Sequence, residues 1–331
     1  MKHINITGRG SFLGISKELL VLKEGKELVK QWPLRRIRTI RLMGDGMSIS
    51  TNLLSECAHY GIAVYIFDFR GRPLIQISGA HQHAVVELRK HQMKAVDSEV
   101  VSKIAAKIIY GKVRNQRATL LYYAKAWSEE PNRANFLIDA ASEIDRFAQI
   151  IRKMEWASRV DWQSALLGYE GSAARVYWQT IKEQGLMGLD FPGRTGRDAD
   201  DVMNSALNFG YAILTSFVWS AVTQAGLEPY LGVFHANRPG KPSLILDIME
   251  EYRPWTVDRI VMRMRGRLLE NRSLTESTKK ELIARIHSQW AKPYPYRKKR
   301  VRLEAILQRQ VYRLCGEFAG NKSYQPYLFR W

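Results

Sequence analysis

Glu170 lies within Ser164-Ala-Leu-Leu-Gly-Tyr-Glu-Gly-Ser-Ala-Ala-Arg-Val-Tyr-Trp178, a stretch with helical spacing. It is flanked by Gly168, Gly171, Ala173 and Ala174, small residues that let another helix approach closely. A carboxylate on such a crowded helix is costly to bury unless it is paired or bound to metal. Arg175 is a nearby candidate for a plain salt bridge. His235 falls in Gly232-Val-Phe-His-Ala-Asn-Arg238, after a helical pattern and before a Pro/Gly loop. Asp247 opens Asp-Ile-Met-Glu-Glu251. On a helix, Asp247 shares a face with Glu250 and Glu251, while Leu244, Ile248 and Met249 occupy much of the rest. Like charges at that spacing repel unless a cation offsets them, either Arg253 or a divalent metal. One histidine with several carboxylates suits Mg2+ or Mn2+ in an open, water-bearing site. Spacing alone leaves a structural His235 and arginine-paired carboxylates open as well.

Other chemistry finds little support. Gly8-Arg-Gly-Ser-Phe-Leu-Gly14 misses the spacing of a dinucleotide fingerprint and is followed by another strand, so it reads as a hairpin turn. There is no phosphate-binding P-loop, no Gly-x-Ser-x-Gly elbow and no His-Glu-x-x-His pair. His81, Gln82 and His83 stand at a domain junction without acidic neighbours and read as linker residues. Cys57 and Cys315 are far apart without metal spacing, which supports neither a zinc site nor a disulfide framework.

Fifty-one Lys and Arg face thirty-two Asp and Glu, a formal net charge of +19 over 331 residues. Residues 1–90 carry +7, residues 91–250 are balanced, and residues 251–331 carry +12. Such an excess is self-repulsive unless a polyanion supplies counter-charge, and nucleic acid is the commonest such partner. A generally basic protein is the plainer explanation. Aromatics lie among the basic residues in Trp290-Ala-Lys-Pro-Tyr294-Pro-Tyr296-Arg-Lys-Lys-Arg300 and in Tyr327-Leu-Phe-Arg-Trp331. Aromatic faces stack on unpaired bases while the cations hold phosphates, although ordinary loop packing gives the same pattern. No run approaches the roughly 18 apolar residues of a membrane span, and no signal peptide opens the chain. A cytoplasmic protein without a membrane partner is expected.

The elements that must position these residues fall into two textures. Up to about residue 80, short strands are expected at His3–Thr7, Ser11–Ile15, Glu18–Leu22, Arg36–Leu42, Ala63–Phe67 and Pro73–Ile77, punctuated by glycine. Arg36–Leu42 alternates loosely, as for a strand with one wet, cationic face. One helix interrupts, capped by Ser50 and ending at Gly61. From His83 onward apolar residues recur at three and four. Helices are expected over Val100–Tyr110, Arg133–Ile151, Trp162–Ile181, Ala199–Ala225 and Lys279–Ser288. The expected architecture is α+β and multidomain: a small N-terminal β-rich, sandwich-like domain at 1–82 and a large all-α helical domain at 83–331.

Four blocks in order resemble one family, the integrases of CRISPR adaptation, which insert new spacers into the array. They are Leu167-Gly-Tyr-Glu-Gly-Ser-Ala-Ala-Arg-Val-Tyr-Trp178; Phe191-Pro-Gly-Arg-Thr-Gly-Arg-Asp-Ala-Asp-Asp-Val-Met-Asn204, leading to Asn208-Phe-Gly-Tyr-Ala-Ile-Leu214; Gly226-Leu-Glu-Pro-Tyr-Leu-Gly-Val-Phe-His235; and Ser243-Leu-Ile-Leu-Asp-Ile-Met-Glu-Glu-Tyr-Arg-Pro254. The resemblance extends over the chain through its domain order and is weakest in the last 60 residues. It implies a catalytic metal site at Glu170, His235 and Glu250, where many relatives have Asp in place of Glu250. Asp247 is the second choice as ligand, with a supporting role favoured. It further implies Mg2+ or Mn2+ as cofactor and DNA contacts among Arg194, Arg197, Arg238, Lys241 and Arg253. The implied partners are double-stranded DNA (spacer precursor and CRISPR repeat), a second copy bound through the β domain, and a small ferredoxin-like subunit that completes a heterohexamer.

The implied activity is that of a metal-dependent DNA endonuclease and integrase, in which a 3′-hydroxyl attacks a phosphodiester. A structure-specific nuclease acting on branched DNA in repair would use the same site. A non-catalytic nucleic-acid-binding scaffold would have the carboxylates merely paired with arginines.

Overall fold

The computed structural model describes residues 2–68, 72–79, 85–196 and 199–330. It divides into two compact units, Met1–Val86 and Glu87–Trp331. His81, Gln82, His83, Arg197 and Trp331 lie outside the described residues.

The first unit is built on two four-stranded sheets. One runs β1 (Lys2–Ile6), β5 (Ile37–Met43), β7 (Ala63–Phe67), β8 (Pro73–Ile77), with only the last pair antiparallel. The other runs β4 (Glu27–Pro33), β3 (Leu19–Glu24), β2 (Ser11–Ser16), β6 (Ser48–Ile49). Leu13, Leu20 and Leu22 from the second sheet share a core with Ile4, Ile40 and Val64 of the first. Period-two alternation points these side chains to one face and makes register strict. The helix α1 (Thr51–His59) begins where Ser50 Oγ accepts the Leu53 N–H at 3.2 Å, and it adds Leu53 and Cys57 to that core.

Two details differ from the pattern reading. β4 is an unforeseen strand: it lies at a sheet edge with Leu28 and Val29 exposed, so no buried alternation marks it. The strand β5 has no wet cationic face. It is interior to its sheet, and Arg41 is 2% exposed, with its guanidinium donating to Asn5.

In the second unit α2 (Val85–Val96), α3 (Val100–Ala126), α4 (Pro131–Lys153), α5 (Trp162–Glu183) and α6 (Val202–Gln224) follow in order. The helix α3 runs far past the expected Tyr110 because Gly111 does not end it. A side chain there would meet Pro326 Cβ at 2.6 Å and Glu251 Cγ at 3.0 Å, so Gly111 permits close packing. The helix α6 is capped by Asp201, whose Oδ1 accepts the Asn204 N–H at 2.8 Å. Its length and composition would suffice to cross a membrane, but Leu207, Ile213, Leu214, Phe217 and Val218 are buried within the unit. Next come α7 (Ser243–Glu250), a wide π turn at Pro254–Asp258, α8 (Arg259–Arg263), α9 (Arg265–Asn271), α10 (Glu276–Ala291) and α11 (Leu303–Phe318). In the π turn the Arg259 N–H donates to Pro254 O, five residues back.

The helical unit is not wholly α. The strands β9 (Pro293–Tyr296) and β10 (Lys299–Arg302) form a hairpin between α10 and α11. The described aromatics of the two basic stretches are engaged internally: Trp290 stacks on Phe217 at 4.7 Å, Phe329 lies against Trp255, Tyr294 and Tyr327, and Tyr296 lies near Tyr327. The final segment folds back on α3. Asn115 Nδ2 donates to Glu251 O at 2.7 Å and Tyr327 O at 2.9 Å, and its Oδ1 accepts the Phe329 N–H at 3.0 Å.

Candidate active site

The helices α3 and α5 each contribute one charged group from their middle turns, and α7 contributes a third from its last residue. Lys112 on α3 donates to Glu170 Oε1 on α5, and its Nζ lies 2.6 Å from Glu250 Oε2. The other Glu250 oxygen, Oε1, is 2.8 Å from Arg253. Lys112 thus takes the pairing foreseen for Arg175, whereas Arg253 does neutralise a carboxylate as the spacing suggests. Glu250 is 3% exposed. Burial works against its charge, but Arg253 and Lys112, with a smaller part from His235, outweigh burial and bring the carboxyl down to about 2. Burial likewise opposes the Lys112 charge, and Glu250 and Glu170 overcome it, raising the ammonium above its ordinary value.

The small residues that flank Glu170 do not all pack against a neighbour. Ala173 is buried, but Gly168 and Gly171 have nothing within 4 Å of where a side chain would start. The two glycines lie on the outward side of α5 and seat no neighbouring helix, while Glu170 shares the inward side with buried Leu166, Ala173 and Tyr177.

His235 sits on the long connection from α6 to α7, a segment without regular structure whose backbone groups are satisfied by side chains. Gln92 of α2 brackets Glu228, accepting its N–H at 2.8 Å and donating to its carbonyl and that of Leu231 at 3.0 Å. Gln163 at the start of α5 donates to Phe234 O at 2.7 Å. Asp247, fully buried on α7, accepts the N–H groups of Val233, Phe234 and His235 at 2.6, 3.1 and 2.9 Å. Its Oδ1 also lies 2.6 Å from His235 Nδ1. A carboxylate can only accept, so Nδ1 carries a proton, and in the neutral imidazole it is Nε2 that has the lone pair for another partner. Gly232 makes this wrap possible, because a Cβ there would stand 2.6 Å from Ser243 Cβ and 2.8 Å from Asp247 Oδ2.

Glu251 departs from the shared face expected for it. It turns away from Glu250 and accepts from Tyr324 Oη and from the Tyr327 N–H at 3.2 Å. Burial raises its carboxyl to about 8, against the pull of those two hydrogen bonds.

Of the basic residues, Arg194 donates to Asn204 Oδ1 at 3.0 Å and Asn208 Oδ1 at 2.7 Å. Arg194 and Arg253 both lie over the Tyr211 ring, at 5.3 and 5.0 Å from its centroid. Tyr211 in turn donates to Asp258 at 2.6 Å, and Tyr177 donates to the same carboxylate at 3.2 Å. Arg238 is exposed and Lys241 half-buried on the His235 connection. Arg197 is outside the described residues.

Among the described residues no three His, Cys, Asp or Glu side chains form a ready-made metal cage. The donor chemistry nevertheless fits a hard divalent ion. Glu170 and Glu250 share one cation, the Lys112 ammonium, and buried Glu250 Oε2 has that ion pair without an aligned hydrogen bond. His235 Nε2 is the nitrogen donor left by the Asp247 contact. Lys112, on a different element from either carboxylate and outside any motif, had no signal in the sequence.

The family described as CRISPR associated protein Cas1 matches this chain over residues 4–286. The CRISPR-associated endonuclease Cas1 1 of Francisella tularensis subsp. novicida is 41% identical over 331 residues, covering 100% of both chains. Among solved structures, a casposase bound to integration product gives a TM-score of 0.72 at 19% identity, covering 100% of this chain and 95% of that one. A partial Cas6-RT-Cas1–Cas2 complex gives 0.71 at 19% identity, covering 100% and 99%. At these identities the structural likeness shows the fold, a β-rich unit followed by a largely helical one.

Proposed function

This chain belongs to the CRISPR-associated Cas1 family, and on that footing we propose that it is a divalent-metal-dependent DNA endonuclease and integrase that inserts spacer DNA into a CRISPR array. The observation that carries this reading is the pair Glu170 and Glu250, two carboxylates that share one cation; Asp247, on the same helix as Glu250, orients His235. Glu170, His235 and Glu250 would hold Mg2+ or Mn2+. When bound, such an ion supplies Lewis-acid chemistry, favouring the ionised hydroxyl and stabilising charge on the phosphoryl oxygens.

In the reaction, a 3′-hydroxyl oxygen of the incoming DNA forms a new bond to a phosphorus of the repeat, and the 3′-oxygen previously bound there leaves with a proton. Water in place of the hydroxyl gives cleavage. No protein nucleophile is required. Asp247 fixes the tautomer and direction of His235, while Arg253 keeps Glu250 ionised as a ligand. In this reading exposed Arg238 and half-buried Lys241 contact phosphate, and Arg194 and Arg197 are assigned the same role. Each phosphate contact removed should weaken binding in a salt-dependent way. A structural neighbour solved as a partial Cas6-RT-Cas1–Cas2 complex supports a Cas2 partner; in this reading that partner is small and ferredoxin-like, the chain pairs with a second copy through its β-rich unit, and the heterohexamer acts on double-stranded DNA. The reaction would take place in the cytoplasm.

A second reading has an observation of its own: Lys112 and Arg253 already neutralise both carboxylates, as they would in a non-catalytic scaffold. The deciding experiment is strand transfer of a short duplex with free 3′-hydroxyls into a supercoiled plasmid carrying a repeat. It is run with the partner subunit in Mn2+, Mg2+ and chelator. Joined product that requires metal and is lost in Glu170→Ala and His235→Ala, with DNA binding retained, is expected. Binding without joining or cutting, equal in parent and variants, would establish the scaffold. Cutting of branched DNA without joining would point to the repair nuclease.

A further inference from the structure

Glu170 Oε1 and Glu250 Oε2 are the oxygens that face one another across the site, and Lys112 Nζ holds both. The remaining Glu250 oxygen is taken by Arg253. A divalent ion held by both residues would therefore compete with the ammonium at Glu250, whose other oxygen Arg253 takes, and would crowd it at Glu170. Two cations cannot share that space: they exclude one another sterically and repel at short range in a partly dehydrated site. Without any cation, two carboxylates of 17% and 3% side-chain exposure would repel. Lysine is suited to filling such a place temporarily. Its point charge satisfies both partners, and its flexible stem lets it leave, which a forked guanidinium does less readily.

We propose that Lys112 is a resident counter-ion that competes with the divalent metal for Glu170 and Glu250, so that metal uptake is an exchange of one cation for another. This rests on the metal-site reading above and assigns the exchange to one side chain. Lys112 is a positioning residue in this scheme: it stabilises the metal-free site and sets how readily metal enters.

The test is Mn2+ binding to the full-length chain, followed by the loss of the free-ion paramagnetic resonance signal. It uses the parent, Lys112→Met, Lys112→Gln, and Lys112→Met combined with Glu170→Ala. With the competitor removed, Lys112→Met and Lys112→Gln should bind Mn2+ roughly tenfold more tightly, the factor expected if the ammonium occupies the site nine-tenths of the time. The gain should disappear in the double variant. In melting experiments without metal, Lys112→Met should be less stable than the parent and should recover when Mn2+ is added. Lys112→Gln, which can still hydrogen-bond both carboxylates, provides the comparison if Lys112→Met does not fold unaided. Glu170-dependent Mn2+ binding of equal strength in parent and both variants would overturn the role of Lys112 while leaving the metal site standing. Absence of Glu170-dependent binding in every protein would overturn both.

Discussion

Asp247 Oδ1 stands 2.6 Å from His235 Nδ1, and the same carboxylate accepts three consecutive backbone N–H groups that lead into that histidine. One buried side chain thereby fixes both the ring and the chain that carries it. Asp247, the second choice as a ligand, has its oxygens taken by these contacts and is placed to orient His235.

Asp247→Asn keeps the volume but replaces one acceptor oxygen with a donor, facing N–H groups. Strand transfer should fall about 10- to 100-fold, the range for losing an outer-shell partner of a metal-ligating histidine. Kinetics of product joining, beside a circular dichroism spectrum showing the helices intact, checks this.

Gly232→Ala tests the same wrap without touching a charge. The added methyl meets Ser243 and Asp247 at distances no relaxed contact allows. It should cost about 1–3 kcal/mol of stability by overpacking and reduce joining, because the chain that aims His235 must move. Urea denaturation and the joining assay give the two readouts.

Asn115→Ala removes the clasp between α3 and the returning segment. Glu251 O, Tyr327 O and the Phe329 N–H lose their partner in buried surroundings. Destabilisation of about 2–4 kcal/mol is expected in a urea titration.

Asp258 makes stability depend on pH. Burial raises its carboxyl from 3.8 to about 6, although hydrogen bonds from Tyr211 and Tyr177 pull it down. The folded protein holds this proton more tightly than the unfolded chain. The stabilisation is therefore complete below the unfolded value and is lost as pH rises through the folded one. Relative to Asp258→Asn, the parent should lose melting temperature between about pH 4 and pH 6 and hold a constant difference above that. Calorimetry across that range is the check; a difference independent of pH would show that Asp258 does not titrate there.

The sequence is legible where one local rule governs. Ser50 caps α1 because a hydroxyl before an apolar helical run has an orphan N–H to accept, and the change from strands to helices follows the change in apolar period. It is illegible where a tertiary neighbour decides. Lys112 meets Glu170 only because α3 and α5 pack together, and no spacing encodes that. Glu250 and Glu251 are adjacent and alike, yet α7 ends between them, so one meets Lys112 and the other meets Tyr324. Arg41 reads as a surface cation until the sheet order makes β5 an interior strand. Gly168 and Gly171 read as packing residues, but they face open space.

The π turn at Pro254–Asp258 constrains the number of residues between Arg253 and Arg259. Were these same residues to close as an ordinary α-helix, everything after the turn would be carried out of phase by most of the roughly 100° that one helical residue turns. Glu250 and Arg253, upstream, would keep their places. Asp258 would swing away from Tyr177 and Tyr211, and with it the support beneath the ring on which Arg194 and Arg253 rest. The width of the turn, and not only what fills it, keeps the site on its foundation.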